Sequence, residues 1–401
     1  MSKRDTFGAH LTQNGISRRA FLKLCSTMAT LLAIPAGAMP ALKDKLSHSV
    51  RPPVIWLSFQ ECTGCTESFT RSHAPTIESL IFDYISLDYH HTLQAASGEG
   101  AEAAKADTIK NHFGQYILIV DGSIPVGLDG AYSTIAGRTN LDILQESAEG
   151  AAAVIAIGTC ATFGGLPGAS PNPTGAMGVG DLMKEGSIPE RTLINLPGCP
   201  PLPIAISGVL AHYLVFDRFP ALDKLNRPLI YYGETVHDRC SRYHYYQKGM
   251  FAEQFDDEGA RKGWCLYKLG CKGPVTHNSC AVHKWNEGTS FPIESGHPCI
   301  GCSEPGFWDR GGFYKNLDEV PVPAQGRIQS TDSTATSGVE HGEIVYEDNC
   351  VYCHSANTAD LETKPSKVAD LLRSGEIRSH RRLDISDEQL NALEKYLKST
   401  K

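Results

Sequence analysis

The stretch Ala153-Val154-Ile155-Ala156-Ile157-Gly158-Thr159-Cys160 joins an apolar, β-branched run to a glycine and a cysteine. Short apolar runs of this kind are typical of strands buried in a parallel sheet. Two other cysteine motifs follow similar runs at residues 54–57 and 192–196, namely Cys62-Thr63-Gly64-Cys65 and Pro197-Gly198-Cys199-Pro200. Thiolates gathered at strand ends indicate an iron-sulfur site.

A fourth run, Tyr116-Ile117-Leu118-Ile119-Val120, belongs to the same series, and helical stretches separate the runs. This alternation predicts an α/β domain over residues 50–220, a flavodoxin-like doubly wound parallel sheet. Ligands of such sheets bind outside the carboxyl ends of the strands. We therefore expect four thiolates to converge in a first site that binds a 4Fe-4S cluster: Cys62, Cys65, Cys160 and Cys199. A structural zinc bound by four cysteines is the alternative.

Residues 221–318 are rich in glycine, cysteine and aromatic residues and lack clear periodicity, which predicts a loop-rich domain stabilised by metal. It offers a second site for a 4Fe-4S cluster, in which an imidazole replaces one thiolate: His237, Cys240, Cys265 and Cys271. A third site has three cysteines, with Pro292 where a fourth ligand would stand, and three ligands indicate a 3Fe-4S cluster: Cys280, Cys299 and Cys302. Disulfides are the alternative for so many cysteines, but paired spacings beside a histidine favour metal.

The last part of the chain has a different composition. Residues 319–341 are rich in proline, serine and threonine, which predicts a linker. In residues 342–401 the motif Cys350-Val351-Tyr352-Cys353-His354 is the attachment signature of a c-type haem, with His354 as the proximal iron ligand. Two helices, near 366–374 and 386–399, complete a small all-α cytochrome c domain. Zinc or a local disulfide is the alternative for this motif.

The sixth ligand of this haem is not the usual methionine, because the chain has no methionine after Met250. His380 stands ahead of the last predicted helix, where the methionine loop of such cytochromes lies. We therefore expect bis-histidine ligation by His354 and His380, with His341 as the alternative sixth ligand. Bis-histidine ligation lowers the haem potential relative to histidine and methionine.

The first 38 residues indicate the compartment. Ser17-Arg18-Arg19-Ala20-Phe21-Leu22-Lys23 precedes an apolar stretch and the small-residue cleavage pattern Ala36-Gly37-Ala38, which resembles a twin-arginine signal peptide. Export of a folded, metal-loaded protein to the periplasm is expected. The formal charge of -8 gives no sign of nucleic-acid or anionic-lipid binding. No later apolar stretch is long enough for a transmembrane segment in the mature chain.

Five motifs together resemble the small subunit of periplasmic nickel-iron hydrogenases of the uptake type: Cys62-Thr63-Gly64-Cys65, the stretch 158–165, Pro197-Gly198-Cys199-Pro200-Pro201, His237-Asp238-Arg239-Cys240 and the stretch 296–305. The resemblance covers about residues 53–314. It implies that the first site is the proximal cluster, the third site the medial cluster and the second site the distal cluster. It also implies a separate large subunit that holds nickel and iron, since the paired-cysteine nickel motifs of that subunit do not occur in this chain.

The expected function is therefore hydrogen oxidation, with electrons passing through three clusters and the haem to a soluble multihaem cytochrome c. We assign no catalytic residue to this chain. Glu67 is either a proton carrier at the large-subunit interface or a solvated carboxylate at a helix N-terminus. The alternatives to a hydrogenase are a non-catalytic periplasmic electron carrier and a subunit like those of respiratory complex I, which shares only a proximal-type site.

Overall fold

The computed structural model of the chain describes Ser26 and residues 51–73, 75–309, 313–315, 367–368 and 387–399. The chain divides into two compact units, Met1–Val322 and Pro323–Lys401. Several predictions concern residues outside the described part: the signal peptide at 1–38, the linker at 319–341, His341, and the haem residues Cys350, Cys353, His354 and His380.

Five parallel strands form the central sheet of the first unit. They are β1 (Pro53–Ser58), β2 (Ser86–His90), β3 (Tyr116–Asp121), β4 (Ala151–Ile157) and β5 (Leu193–Leu196). Their order is β2-β1-β3-β4-β5, with every neighbouring pair parallel. This is the flavodoxin-like order, whose switch point lies between β1 and β3. The predicted parallel sheet is confirmed, and β2 is a strand that the apolar runs did not reveal.

Helices cover both faces of the sheet. The longer ones in this unit are α1 (Gly64–Thr70), α2 (Gly98–Asn111), α3 (Asn140–Glu149), α4 (Gly158–Phe163), α5 (Val179–Lys184) and α6 (Pro203–Phe216). A three-residue helix (Ile77–Ser79) and a π-helical turn (Leu80–Tyr84) precede β2. On one face Trp56 and Ile119 pack with residues of α1 and α6. On the other face Leu57 and Val120 pack with residues of α2, α3 and α5.

Between α6 and residue 315, the described residues form only short helices. They are Leu229–Tyr232, Tyr243–Gln247, Glu258–Arg261 and Cys280–His283, with 3-10 turns at Tyr267–Leu269 and Gly273–Val275. A small core of its own includes Val236, Leu266, Phe291 and Cys271, with Cys240, Cys280 and Cys299 packed against it. Four cysteines of this segment therefore lie in its core or border it.

In the second unit, the described residues include the helix α7 (Asp387–Ser399), which agrees with the helix predicted at 386–399. Leu390, Leu393 and Leu397 recur at helical spacing and are almost fully buried. Glu394 and Lys398, one turn apart, form an ion pair at 2.6 Å. Lys367 and Val368 are also helical and lie inside the other predicted helix. None of the described helices is both long and apolar enough to cross a bilayer.

An ion-pair network connects the turn at residues 223–227, where the Leu225 carbonyl accepts a hydrogen bond from Asn195 of β5 at 2.8 Å, to the loop that contains Cys302. Arg227 is 4% exposed, and its Nε donates to Asp223 Oδ2 at 2.8 Å. Its Nη1 donates to Glu304 Oε1 at 3.0 Å, two residues beyond Cys302. The same oxygen of Glu304 accepts the backbone N–H of His277 at 2.6 Å. One guanidinium therefore holds two carboxylates that come from different parts of the fold.

Replacing Arg227 with methionine removes the positive partner and leaves two partly buried carboxylates without compensation. We expect Arg227→Met to destabilise the protein by about 3–5 kcal/mol. The matched control is Arg239→Met, because Arg239 is 60% exposed in its pair with Glu234 and exposed pairs contribute only about 0–1 kcal/mol. Thermal unfolding of the two variants measures the difference, and equal losses in both would contradict the assigned role of Arg227.

Candidate metal centres

The first site lies at the carboxyl ends of three strands of the central sheet. Cys62 and Cys65 follow β1, Cys160 lies in α4 immediately after β4, and Cys199 follows β5. The loops after β4 and β5 are joined directly, since the Thr159 N–H donates to the Gly198 carbonyl at 3.0 Å. The Gly198 N–H donates in turn to the Thr159 hydroxyl at 2.9 Å. The predicted convergence of loops is present in the structure.

Glycines make room for the sulfur atoms of this site. A Cβ placed on Gly158, which has φ of +83°, would lie 2.5 Å from Cys65 Sγ. A Cβ on Gly165, with φ of +54°, would lie 2.8 Å from Cys160 Sγ. Both positions combine a left-handed backbone with a close approach that excludes any side chain. The turn Gly158-Thr159-Cys160 thus leaves space for the sulfur atom of Cys65.

Burial, with a smaller effect of neighbouring thiolates, raises the pKa of three thiols of the first site, Cys65, Cys160 and Cys199. Burial raises the pKa of Cys160 to about 12, and the Cys199 thiolate adds to the effect. Burial also raises the pKa of Cys65 far above its usual range, with contributions from Asp121, Cys160 and Cys62. These four thiols are therefore close enough to repel as thiolates. A cationic metal centre would offset this repulsion.

Sequence reasoning missed Asp121 in this site. It ends β3, pairs in register with Ser58 and is fully buried. Burial raises the pKa of its carboxyl to about 7, while contact with the Cys65 thiol lowers it. The sequence does contain a signal for this residue. Asp121 directly follows the apolar run 116–120, and the carboxyl ends of parallel strands meet at the same edge of a sheet. Asp121 therefore adds a buried carboxyl group beside the thiols of the first site.

The third site surrounds a cavity of about 590 Å³. Its lining includes all three predicted ligands, Cys280, Cys299 and Cys302, and also Pro292. Burial and the Cys302 thiolate raise the pKa of Cys299 to about 12. Burial also raises the pKa of Cys302 to about 11. Pro292 has no metal-binding atom in its side chain, so the metal-binding sulfur atoms that the third site brings to this cavity are those of Cys280, Cys299 and Cys302.

The second site gathers its residues around Gly273. The His237 N–H donates to the Gly273 carbonyl at 3.2 Å. A Cβ on Gly273 would lie 3.4 Å from Cys271 Sγ and 3.8 Å from the His237 Cβ. The charge of Cys240 raises the pKa of both Cys265 and Cys271, after the larger effect of burial. The structure thus places His237 and the three cysteines of the predicted set next to one another around Gly273.

The three sites are contiguous. The Thr159 hydroxyl of the first site donates to the Cys302 carbonyl of the third site. The Cys302 pKa also responds to the neighbouring Cys199, after burial. At the other end the Cys299 N–H donates to Cys271 Sγ of the second site at 3.4 Å. The order in space is therefore first, third, second, with direct contacts at each junction.

The donor chemistry fits iron-sulfur clusters. The three sites supply soft thiolates and one imidazole, which are the ligands such clusters take. Within the described part of the chain, no three histidine, cysteine, aspartate or glutamate side chains are grouped so as to hold a single metal ion.

Glu67 lies in the first turn of α1 at the rim of the same cavity. Its carboxylate is 55% exposed and accepts two hydrogen bonds from Arg71 Nε, at 2.7 and 2.9 Å. These hydrogen bonds lower the pKa of Glu67. An exposed carboxylate at this rim fits both predicted alternatives, a proton carrier at the large-subunit interface and a solvated carboxylate at a helix N-terminus.

Comparison with known proteins supports the same division of the first unit. The family model for the C-terminal region of the NiFe/NiFeSe hydrogenase small subunit matches residues 232–315. A model described as NADH ubiquinone oxidoreductase, 20 Kd subunit, matches residues 62–213. The Hydrogenase-1 small chain of Escherichia coli K12 is 43% identical over 339 residues, which is 84% of this chain and 89% of that protein. The chain belongs to the nickel-iron hydrogenase small-subunit family.

Other relatives agree with this family. The uptake hydrogenase small subunit of Azotobacter vinelandii is 44% identical over 321 residues, 80% of this chain and 88% of that protein. The solved structure of the Ni-Fe-Se hydrogenase from Desulfomicrobium baculatum matches with a TM-score of 0.62 at 36% identity. That match covers 66% of this chain and 99% of the solved chain. The mixed α/β fold with a central parallel sheet is thus that of hydrogenase small subunits, and the fused haem domain stays a prediction.

Substitution of Gly158 tests whether the first site holds a cluster. In Gly158→Ala the new methyl group occupies the space of Cys65 Sγ, so we expect loss of about four irons per chain. Gly186→Ala is the control, because Gly186 also has a positive φ of +74° but no atom lies within 4 Å of the place its Cβ would take. Iron analysis of the purified proteins gives the answer, and full iron content in Gly158→Ala would contradict the assignment.

Proposed function

We propose that this chain is the electron-transfer subunit of a periplasmic nickel-iron uptake hydrogenase, which oxidises hydrogen and passes electrons through three iron-sulfur clusters and a c-type haem to a cytochrome. The observation that carries the proposal is the contiguity of the three sites through Thr159, Cys302, Cys299 and Cys271. Family membership supplies the reaction class, since its relatives are named as hydrogenase small chains and uptake subunits.

Each site contributes ligands of one type of cluster. The first site would hold a proximal 4Fe-4S cluster, the third site a medial 3Fe-4S cluster, and the second site a distal 4Fe-4S cluster through His237 and its three cysteines. When bound, these clusters supply one-electron carriers. The protein supplies burial, glycine clearance and a fixed order of ligand loops. The imidazole of His237 removes one negative charge from the distal site, which favours the reduced form.

The edge of the first site supports a separate large subunit as partner. Cys62 and Cys199 are exposed, whereas Cys65 and Cys160 are partly covered. Exposed cluster ligands of this kind need a covering surface to exclude water. We propose that the covering surface is the nickel-bearing large subunit and that hydrogen is cleaved there. No residue of this chain is assigned a role in the cleavage itself.

The C-terminal haem module is proposed from its motif. Cys350 and Cys353 would form the thioether bonds, and His354 with His380 would ligate the iron. A bis-histidine haem of low potential suits a soluble multihaem cytochrome c as acceptor. The twin-arginine pattern at residues 17–23 supports export of the folded protein to the periplasm, which is also where c-type haem is attached.

Hydrogen reduction of the haem tests the proposal. The heterodimer, purified anaerobically from periplasm, is exposed to hydrogen while the visible bands of the c-haem are recorded. We expect haem reduction without any added mediator, because the three sites form one continuous path. The matched control is the Cys350→Ala/Cys353→Ala variant, which should lack the haem bands and still reduce an artificial dye with hydrogen.

Two other outcomes would contradict different parts of the proposal. An unresponsive haem in a heterodimer that still reduces the dye would refute the path from the clusters to the haem. A preparation without nickel and without hydrogen-dependent dye reduction would favour the alternative, a non-catalytic periplasmic electron carrier.

A further inference from the structure

A short helix begins beside the second site and presents two tyrosines. The helix spans Tyr243–Gln247, and the Tyr243 N–H donates to the carbonyl of Cys240 at 3.0 Å. Tyr243 and Tyr246 are three residues apart, so they lie on the same helix face. The hydrogen bond to Cys240 places this helix beside the second site.

Both tyrosine rings contact the imidazole of His237. The ring centroids of His237 and Tyr243 are 4.9 Å apart with an interplanar angle of 76°. The corresponding values for His237 and Tyr246 are 4.6 Å and 82°. The two tyrosine rings are nearly parallel to each other, at 17° and 6.3 Å. The imidazole is thus nearly perpendicular to both tyrosine planes.

Tyr246, the more exposed of the two tyrosines, packs against other aromatic rings. The ring centroid of Tyr246 lies 5.6 Å from that of Tyr267 and 5.9 Å from that of Phe251, both in edge-to-face geometry. Phe251 pairs with the ligand Cys265 in an isolated β-bridge. Tyr246 is also 37% exposed, so the aromatic group extends from the ligand loops to the surface. The two tyrosine rings therefore cover part of the imidazole of His237, a residue that is itself half-buried.

We propose that Tyr243 and Tyr246 are positioning residues for His237, the imidazole ligand of the distal cluster, and this inference rests on the proposed function. Rotation of the imidazole about its Cβ–Cγ bond would drive its edges into the two tyrosine rings. The pair therefore selects one orientation of the ligand ring. The aromatic cover also keeps water from the imidazole, and a dry site disfavours the more negative, reduced cluster.

The test uses the complete heterodimer and compares three sets of substitutions. Tyr243→Leu/Tyr246→Leu removes both rings, and Tyr243→Phe/Tyr246→Phe keeps the rings without the hydroxyls. Tyr245→Leu is the matched control, because Tyr245 lies in the same helix and its ring packs on His244 at 3.9 Å. Pulsed electron paramagnetic resonance reports the coupling of the imidazole nitrogen, and a redox titration reports the midpoint potential of the distal cluster.

We expect one sharp nitrogen coupling in the wild type, in the Phe variant and in Tyr245→Leu. The double Leu variant should show a broadened coupling and a higher midpoint potential, since the ring rotates and water enters. It should also lose distal-cluster iron to a chelator roughly tenfold faster, consistent with the loss of two aromatic pairs.

A double Leu variant with the coupling and potential of the wild type would overturn the positioning role. If that variant does not assemble, Tyr246→Leu alone gives the same comparison, because one ring wall is then missing. A wild type whose distal cluster shows no imidazole coupling would refute the proposed ligand set itself, a result distinct from failure of the tyrosine pair.

Discussion

Burial of closely spaced thiols is the constraint on which the cysteine sites of this protein depend. Burial raises the thiol pKa of nine of the ten described cysteines: Cys65, Cys160, Cys199, Cys240, Cys265, Cys271, Cys280, Cys299 and Cys302. In most of them a neighbouring cysteine adds to the effect. Such a group of thiols favours ionisation only around a cationic centre. The free energy of cluster binding is therefore part of the folding free energy of this segment.

The parallel sheet solves the problem of bringing distant thiols together. Its strand order places the carboxyl ends of β1, β3, β4 and β5 along one edge, so loops far apart in sequence meet there. The cysteine-rich segment lacks such a scaffold and is fixed instead by local hydrogen bonds and by Arg227. That residue bridges Asp223 and Glu304, which holds the Cys299–Cys302 loop next to the sheet domain. The contiguity of the three sites depends both on the parallel sheet and on the ion pairs of Arg227.

The sequence was informative where chemistry and pattern coincide. Four of the five strands follow from apolar runs. The structure also groups the ten described cysteines and His237 as the sequence predicted, while their role as cluster ligands stays a prediction. Strand β2 was missed because Ser86-Leu87-Asp88-Tyr89-His90 alternates polar and apolar residues at a sheet edge. Arg227 and the tyrosines beside His237 act through partners distant in sequence or through ring geometry, which no linear pattern encodes.

Mössbauer spectroscopy of the heterodimer labelled with iron-57 tests the central claim most directly, because it counts clusters by type. The account predicts two 4Fe-4S clusters and one 3Fe-4S cluster per small subunit, with one 4Fe-4S cluster showing an inequivalent iron from its histidine ligand. A single cluster of the first-site type, with zinc or disulfides at the remaining cysteines, would contradict the account of a continuous series of three iron-sulfur sites.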